Sequence, residues 1–410
     1  MGICRSWVMV PEGWKQVHLG SLMTFKNGLN TEKEQYGDGH KFVNVMDILR
    51  SNILTEDKII GRVKVSEREL NDYRLEFGDI LFNRTSETFD EIATAAVYMD
   101  NATATFGGFV IRGRPDKNFL SAEFSTQAFL ADSYRSQVVK LGQGAVRANI
   151  GQKELSKVKI LLPPLSEQKK IAKILATWDQ AIAITEQSLE NSQQQKKALM
   201  QWLLTGKKRL PGFDSQWRKL PLTSCLLGSN LRNSSLTQGA DRIMSVNKIE
   251  GMIPMRAETI GKSIDRYKVV KTGWFAYNPM RINVGSICRW SGDSDCLVSP
   301  DYVVFSCNEE LLLGSYFDHF RQAEPWANYM RNAGNGSVRV RIYLNDLSLL
   351  KIPLPTLGEQ AKIAVVLTTA EQEIKTLKRK LACFKQEKKA LMQQLLTGER
   401  RVNLDELEVA

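Results

Sequence analysis

A chain of 410 residues is longer than one hydrophobic core sustains, so at least two domains with connectors are expected. With 43% hydrophobic and 25% charged residues it has a globular composition, which excludes a disordered chain. Fifty-six Lys and Arg against 45 Asp and Glu leave a net charge of +11 and a pI near 9.2, which favours a polyanionic partner, with nucleic acid ahead of an anionic membrane.

Along the chain, the opening MGICRS matches a short lipidation pattern at Gly2 and Ser6, but nothing downstream resembles a membrane segment. No stretch reaches the roughly 18 apolar residues of a membrane span, and a signal peptide's charged and apolar regions are missing, so the expected location is the cytoplasm. A Trp-led segment, GWKQVHLGSL from Gly13, begins the first domain. GDILFNR (Gly78 to Arg84), AAVYM and GGFVIR read as strands, and AEFSTQAFLADSYRSQVVKL as a helix. The glycine-rich turn GQGAVRANI follows from Gly142, then a short strand, KVKILL.

The next block is a helix from Glu167 to Thr205, 39 residues or about 58 Å long at roughly 1.5 Å per residue. Pro163-Pro164 lead into it, Glu167 sits in its first turn, where the helix dipole favours a carboxylate, and Gly206 supplies the stop. A second Trp-led segment, QWRKLPLTSCL from Gln216, then starts a second domain with the same order of elements. GWFAYNPMR (Gly273 to Arg281), VGSICRW and DYVVF are its strands, ELLLGSYFDHFRQ its helix, GNGSVRVRI (Gly334 to Ile342) its glycine turn and LLKIPL its last strand.

A second long helix closes the pattern, and it repeats the first at a constant offset of 192 residues. LPPLSEQKKIAKIL (Leu162 to Leu175) recurs as LPTLGEQAKIAVVL (Leu354 to Leu367), and KKALMQWLLTG (Lys196 to Gly206) as KKALMQQLLTG (Lys388 to Gly398). Ile171, Leu175, Trp178, Ile182, Leu189, Leu199 and Leu203 step by threes and fours, as do Ile363, Leu367, Ala370, Ile374, Leu381, Leu391 and Leu395. This is a coiled-coil seam, so the two helices are expected to pair antiparallel and place the domains about a pseudo-twofold axis. The first seam is polar in its middle, at Thr185, Ser192 and Lys196. The fold class is therefore α+β, with two mostly β-rich mixed domains separated by a long antiparallel two-helix coiled coil. The divisions expected are 1–162, 163–208 (helix), 209–353, 354–400 (helix) and a tail, 401–410.

Preserved connectors with diverged domains suggest one task performed twice on different objects; on DNA these would be two half-sites, read at base edges by loops that differ. The strand-end candidates are Asn83, Arg84, Thr85 and Ser86 in the first domain, and Asn278, Arg281 and Asn283 in the second. An Asn at such a place serves its own backbone turn equally well. The glycine turns offer Gln143 and Arg147, and Asn332, Asn335, Ser337, Arg339 and Arg341. Arg147 and Arg339 occupy equivalent positions, which suits a shared phosphate contact better than base reading; a plain surface turn is the alternative.

Catalytic signatures are scarce. There is no GxxxxGK[ST] phosphate loop and no cofactor-binding glycine loop after a strand. Asn278-Pro279-Met280-Arg281 lacks the second proline and the aromatic needed to hold a flipped adenine. Six scattered cysteines and three histidines make no metal pattern, so no metal and no catalytic residue are expected.

The doubled LPPLSEQKKIAKIL/LPTLGEQAKIAVVL blocks, each running to KKALMQ(W/Q)LLTG, resemble the conserved regions of type I restriction-modification specificity subunits. Gly358 and Thr356 replace Ser166 and Pro164 at the second helix start, and neither change breaks it. The resemblance implies two target recognition domains, each reading half of a split, asymmetric double-stranded DNA sequence, and helices that act as the spacer. It also implies partners: two modification subunits that methylate adenine from S-adenosylmethionine, and restriction subunits that use ATP and Mg. No cofactor would then belong to this chain. Rival readings are the equivalent subunit of a two-component system with a fused methyltransferase-nuclease partner, a coiled-coil protein scaffold, and a self-sufficient methyltransferase or nuclease.

Overall fold

The computed structural model describes residues 10–144, 147–333 and 341–404. The chain divides into two compact units that do not follow its linear order: unit 1 takes 1–185 and 380–410, and unit 2 takes 186–379. Each long helix, Leu165–Leu203 and Leu357–Thr397, therefore contributes one end to each unit.

Unit 1 is built on a five-stranded sheet in the order Met23–Asn27, Val110–Pro115, Ile80–Asn83, Ala95–Tyr98 and Ile53–Leu54. Its inner strands Ile80–Asn83 and Ala95–Tyr98 are apolar nearly throughout because both faces are covered. Ile80, Phe82, Ala95, Val97 and Ile111 face one core, shared with Trp14, Phe124, Tyr134, Ile171 and Leu175. Leu81, Ala96, Tyr98 and Val110 face another, with Val43, Ile48 and Phe106. The alternation follows from the two-residue period of a strand, and each buried Phe or Leu contributes roughly 2 kcal/mol.

Unit 2 repeats the plan with four strands, in the order Leu226–Ser229, Val303–Cys307, Phe275–Tyr277 and Ile287–Arg289. Phe275, Tyr277 and Phe305 face the core that holds Tyr316, Phe317, Ile363 and Leu367, while Ala276 and Val304 face the other side. In both main sheets the first strand in chain order, Met23–Asn27 or Leu226–Ser229, lies next to the late strand, followed by the middle one and its hairpin partner. The offset of 192 also extends through the short helices, where sequence likeness has vanished. Phe124, Tyr134 and Val138 are buried in unit 1, and Tyr316, Trp326 and Met330 in unit 2.

The repeated Glu-Gln pair has a definite structural task. Gln168 accepts from the Ser121 backbone N–H at 2.9 Å and donates to the Phe119 and Pro163 carbonyls, both at 2.8 Å. Gln360 does the same with Leu313, Leu311 and Pro355, at 2.9, 2.8 and 3.0 Å. Buried Glu167 accepts from the Trp14 indole at 2.9 Å and from Arg401, which lies over the Trp14 ring. Buried Glu359 accepts from the Trp217 indole at 3.0 Å and from two nitrogens of Arg209 at 2.7 Å each. Sequence reading assigned these glutamates to the helix dipole alone. Each also ties the start of one long helix to an arginine just past the end of the other.

Within each unit the long-helix segments run antiparallel, rising residue numbers in one meeting falling numbers in the other. In unit 1, Trp178 packs edge-on against Phe384 at 5.6 Å, Lys388 bonds Asp179 at 2.5 Å, and Leu175, Leu391 and Leu395 share the core. In unit 2, Lys196 bonds Glu371 at 2.6 Å and Ser192 bonds Glu373 at 3.1 Å, so polar positions in the first seam are bridged to carboxylates. Leu203, Ile363 and Leu367 are buried there, while Ile182, Leu189, Leu199, Ile374 and Leu381 are half-buried across the two units. Gly206 and Gly398, with φ of +74° and +76°, close the helices in the left-handed conformation that glycine adopts cheaply.

Candidate nucleic-acid interface

The strand Ile80–Asn83 ends in a turn whose geometry is held by its own side chains. Asn83 is fully buried; its amide oxygen accepts from the Thr85 N–H at 3.2 Å and its nitrogen donates to the Glu91 carbonyl at 3.1 Å. Ser86 is buried too, donating to Glu91 Oε2 at 2.9 Å. These two residues shape the turn and leave its outer surface to others. Arg84 is half-buried and donates to the Gly108 carbonyl at 3.2 Å, while Thr85 donates to the Asn149 side chain at 2.8 Å.

In unit 2 the strand Phe275–Tyr277 ends the same way, with Asn278 accepting from the Met280 N–H at 3.0 Å. Arg281 and Asn283 are exposed on the short turn that follows.

Sequence reading picked the strand-end turn and the glycine turn separately; the structure brings them together in unit 1, and in unit 2 it sets Ile342, the last residue of the glycine segment, against the strand-end turn. Ile150 N–H donates to the Arg84 carbonyl at 3.0 Å, and Ile342 N–H, at the equivalent position, donates to the Pro279 carbonyl at 3.0 Å. Thr85–Ser86 pairs antiparallel with Ala148–Asn149, and Gln143 pairs with Asn149. Arg147 is exposed, 3.9 Å from the Glu87 carboxylate. Arg341 is exposed at the far end of the second turn; Asn335, Ser337 and Arg339 lie outside the described residues.

Near each strand-end turn lies a cleft, that of unit 1 reached through Gly108, whose carbonyl accepts from Arg84, and that of unit 2 lined by Asn278 itself. That of unit 1 has a volume of about 280 Å³ and is lined by Asn30, Tyr36, Asn44, Met46, Gly108 and Phe109. Its narrowness has a backbone cause: a Cβ on Gly28 would stand 2.0 Å from the Gly107 carbonyl oxygen, so only glycine lets the two loops approach. Phe109 is 65% exposed, and Met46 and Tyr36 are also exposed.

The cleft of unit 2 is larger, about 600 Å³, and more polar, with Asn230, Lys268, Asn278, Met280, Arg341 and Tyr343 on its wall. Lys268 donates to the Tyr302 carbonyl at 2.7 Å, and burial, with Arg232 nearby, holds its pKa below the usual lysine value. Tyr343 is 47% exposed.

Amide side chains, cations and exposed rings around an open cleft suit base edges, phosphates and stacking respectively. Phe109, Tyr36, Asn44, Lys268 and Tyr343 were missed from sequence because GGFVIR reads as plain strand and the others carry no motif. Among the described residues no group of three or more His, Cys, Asp or Glu stands close enough to hold a metal, and no helix is long and apolar enough to cross a membrane.

Comparison with known proteins agrees in direction. The family model for the type I restriction modification DNA specificity domain matches residues 11–192 and 293–383. A protein of Methanocaldococcus jannaschii described as the type I restriction enzyme MjaX specificity subunit is 25% identical over 96% of this chain and 95% of its own length. The type I restriction enzyme EcoKI specificity subunit of Escherichia coli is 25% identical over 50% of this chain and 44% of its own. Among solved structures, a type I restriction-modification system S subunit from M. genitalium superposes with a TM-score of 0.57 at 14% identity, over 93% of this chain and 96% of that one. A chain from a study of complex assembly and conformational transition of the type I R-M system gives 0.52 at 17% identity, over 96% of this chain and 100% of that one. At such identities the structural likeness speaks for the fold alone.

Proposed function

The chain belongs to the type I restriction-modification DNA specificity domain family, and from that premise we propose that it is the specificity subunit that reads a split DNA target, one half per unit. One observation carries the reading: each unit opens a cleft near its strand-end turn, at Gly107–Phe109 in one and at Ser299–Asp301, 192 residues on, in the other, and the two clefts are lined with different chemistry. A scaffold held constant while its reading surface changes suits recognition of two unlike half-sites.

In this reading residues 1–162 and 209–353 are the readers and the long helices set the length of the unread spacer. The net charge of +11 supplies the sequence-independent attraction to phosphates. Two modification subunits, with S-adenosylmethionine, dock on the chain and carry the methyl transfer; restriction subunits, with ATP and Mg, carry cleavage. The chain itself recognises and does no chemistry.

Footprinting the chain together with its modification subunit tests this. The expected result is protection of two short blocks separated by an unprotected spacer. Exchanging residues 13–158 for the matching domain of a relative should change one block and spare the other. Protection without sequence preference, or a change in both blocks, would overturn the reading.

A further inference from the structure

One wall of each cleft is carried by the same turn. In unit 1 the Val110 N–H donates to the Gly107 carbonyl at 2.8 Å, and in unit 2 the Tyr302 N–H donates to the Ser299 carbonyl at 3.0 Å, 192 residues on. The strand that follows keeps its register as well. Ile111 lies opposite Phe82, the residue before Asn83, and Val303 lies opposite Tyr277, the residue before Asn278. Phe109 and Asp301 therefore hold the same place, where a phenyl ring that is 65% exposed gives way to an exposed carboxylate.

The surroundings change with the side chain. Phe109 shares its cleft with exposed Met46 and Tyr36, and among the described residues no charged side chain lines it. Three large apolar side chains exposed around one cleft form a patch, and a patch marks a binding surface. The turn is fixed from behind, because Arg84 donates to the Phe109 carbonyl through its backbone at 2.9 Å and to the Gly108 carbonyl through its side chain at 3.2 Å. Asp301 instead shares its cleft with Lys268 and Arg341. Its charge acts on Lys268, yet it makes no ion pair among the described residues.

Base pairs differ in the major groove by these same chemistries. Thymine presents a methyl group that apolar side chains contact, cytosine an N4–H that a carboxylate accepts, and guanine O6 and N7 acceptors that arginine takes together. A carboxylate facing DNA is repelled by phosphates unless cations stand beside it, as Lys268 and Arg341 do here.

We propose that the residue on this turn sorts the base pair each unit accepts. Phe109 packs on the methyl group of a thymine in one half-site; in the other, Asp301 accepts from the cytosine and Arg341 donates to the guanine of one C·G pair. This rests on the reading above and gives each cleft the base chemistry that reading left open.

The test uses the full chain co-purified with its modification subunit and duplexes carrying the split site found by footprinting, with affinity measured by competition. Exchange of residues 13–158 identifies the block that unit 1 reads. There each thymine is replaced in turn by uracil, which removes the methyl group alone. In the other block each cytosine becomes N4-methylcytosine and each guanine 7-deazaguanine, which remove the outward N4–H and the N7 acceptor. One uracil should weaken binding about fourfold, and one N4-methylcytosine and its paired 7-deazaguanine about tenfold each. Phe109→Ala should erase the uracil penalty and keep the other two. Asp301→Ala should erase only the N4-methylcytosine penalty, and Arg341→Ala only that of 7-deazaguanine. Asp301→Asn, which still offers an acceptor, should keep all three. Unchanged thermal unfolding of each variant shows that no effect comes from misfolding.

A unit 1 block without thymine, or one in which no uracil weakens binding, overturns the proposal. So does a uracil penalty that survives Phe109→Ala, or a unit 2 block in which no C·G pair responds to the two analogues. In each of these cases the parent still protects two separate blocks, and the reading stands. A parent without sequence-selective protection sinks the reading, and the proposal with it.

Discussion

Where the sheet domain meets the long helices, unit 1 has Gln127 and unit 2 has His319, 192 residues apart and facing equivalent carboxylates. Gln127 donates to Asp179 at 3.0 Å, and Asp179 is also bonded to Lys388. His319 bonds Thr368 through Nε2 at 3.0 Å, and its Nδ1, buried without a hydrogen bond, stands 3.7 Å from Glu371, the partner of Lys196. The lysine–carboxylate pair is thus common to both joints, while the residue that reaches it from the domain is free to change. Structural joints diverge in detail, then, and keep their electrostatic plan; the clefts keep their position and change their plan. That difference separates what holds the frame from what chooses a target.

The sharpest way to break the frame is at the buried glutamates. Glu359 is fully buried and Arg209 is 28% exposed, so Glu359→Ala should cost about 3 kcal/mol in urea unfolding, since it strands a guanidinium and an indole. Glu167→Ala should cost less, because its partner Arg401 is 43% exposed and water can take over. Equal costs would mean that the two clamps do not follow their burial.

A smaller effect, of about tenfold in affinity, is expected at the clefts. Phe109→Ala should weaken protection of the half-site read by unit 1 alone, and Tyr343→Ala that of the other half. Loss across both halves from either substitution would show that the clefts do not read separately.

The smallest effect separates the joints by pH. Burial holds the His319 pKa below its ordinary value of 6.5, outweighing the opposite pull of Glu371; Lys196 also lowers it, and Asp318 raises it. The unfolded chain then binds the proton more readily than the folded one, so this stability is present above pH 6.5 and is lost as the pH falls from there towards the folded value. His319→Gln, which installs the residue of unit 1, should flatten that part of the pH dependence of unfolding. An unchanged profile would assign the dependence to another group.

Much of this architecture is legible in the sequence because it rests on local rules. The 192-residue offset, the three-and-four stepping of Ile171, Leu175 and Trp178, and the glycine stops all report period and backbone freedom, which any stretch of chain carries in itself. Pairing across long separations is not local. Nothing in the text of the sequence joins Arg401 to Glu167, Ile150 to Arg84, or Lys268 to Tyr343 around one cleft. Asn83 shows the same limit, since a strand-end asparagine looks identical whether it faces solvent or, as here, is consumed by its own turn.

The sequence by itself determined the repeat, the two long helices and the places where the halves disagree, because periodicity and capping act over a few residues. Tertiary structure alone decided which of the disagreeing residues stand in a cleft and which lie beneath it. Burial and hydrogen-bond satisfaction depend on partners that the fold brings from more than a hundred residues away.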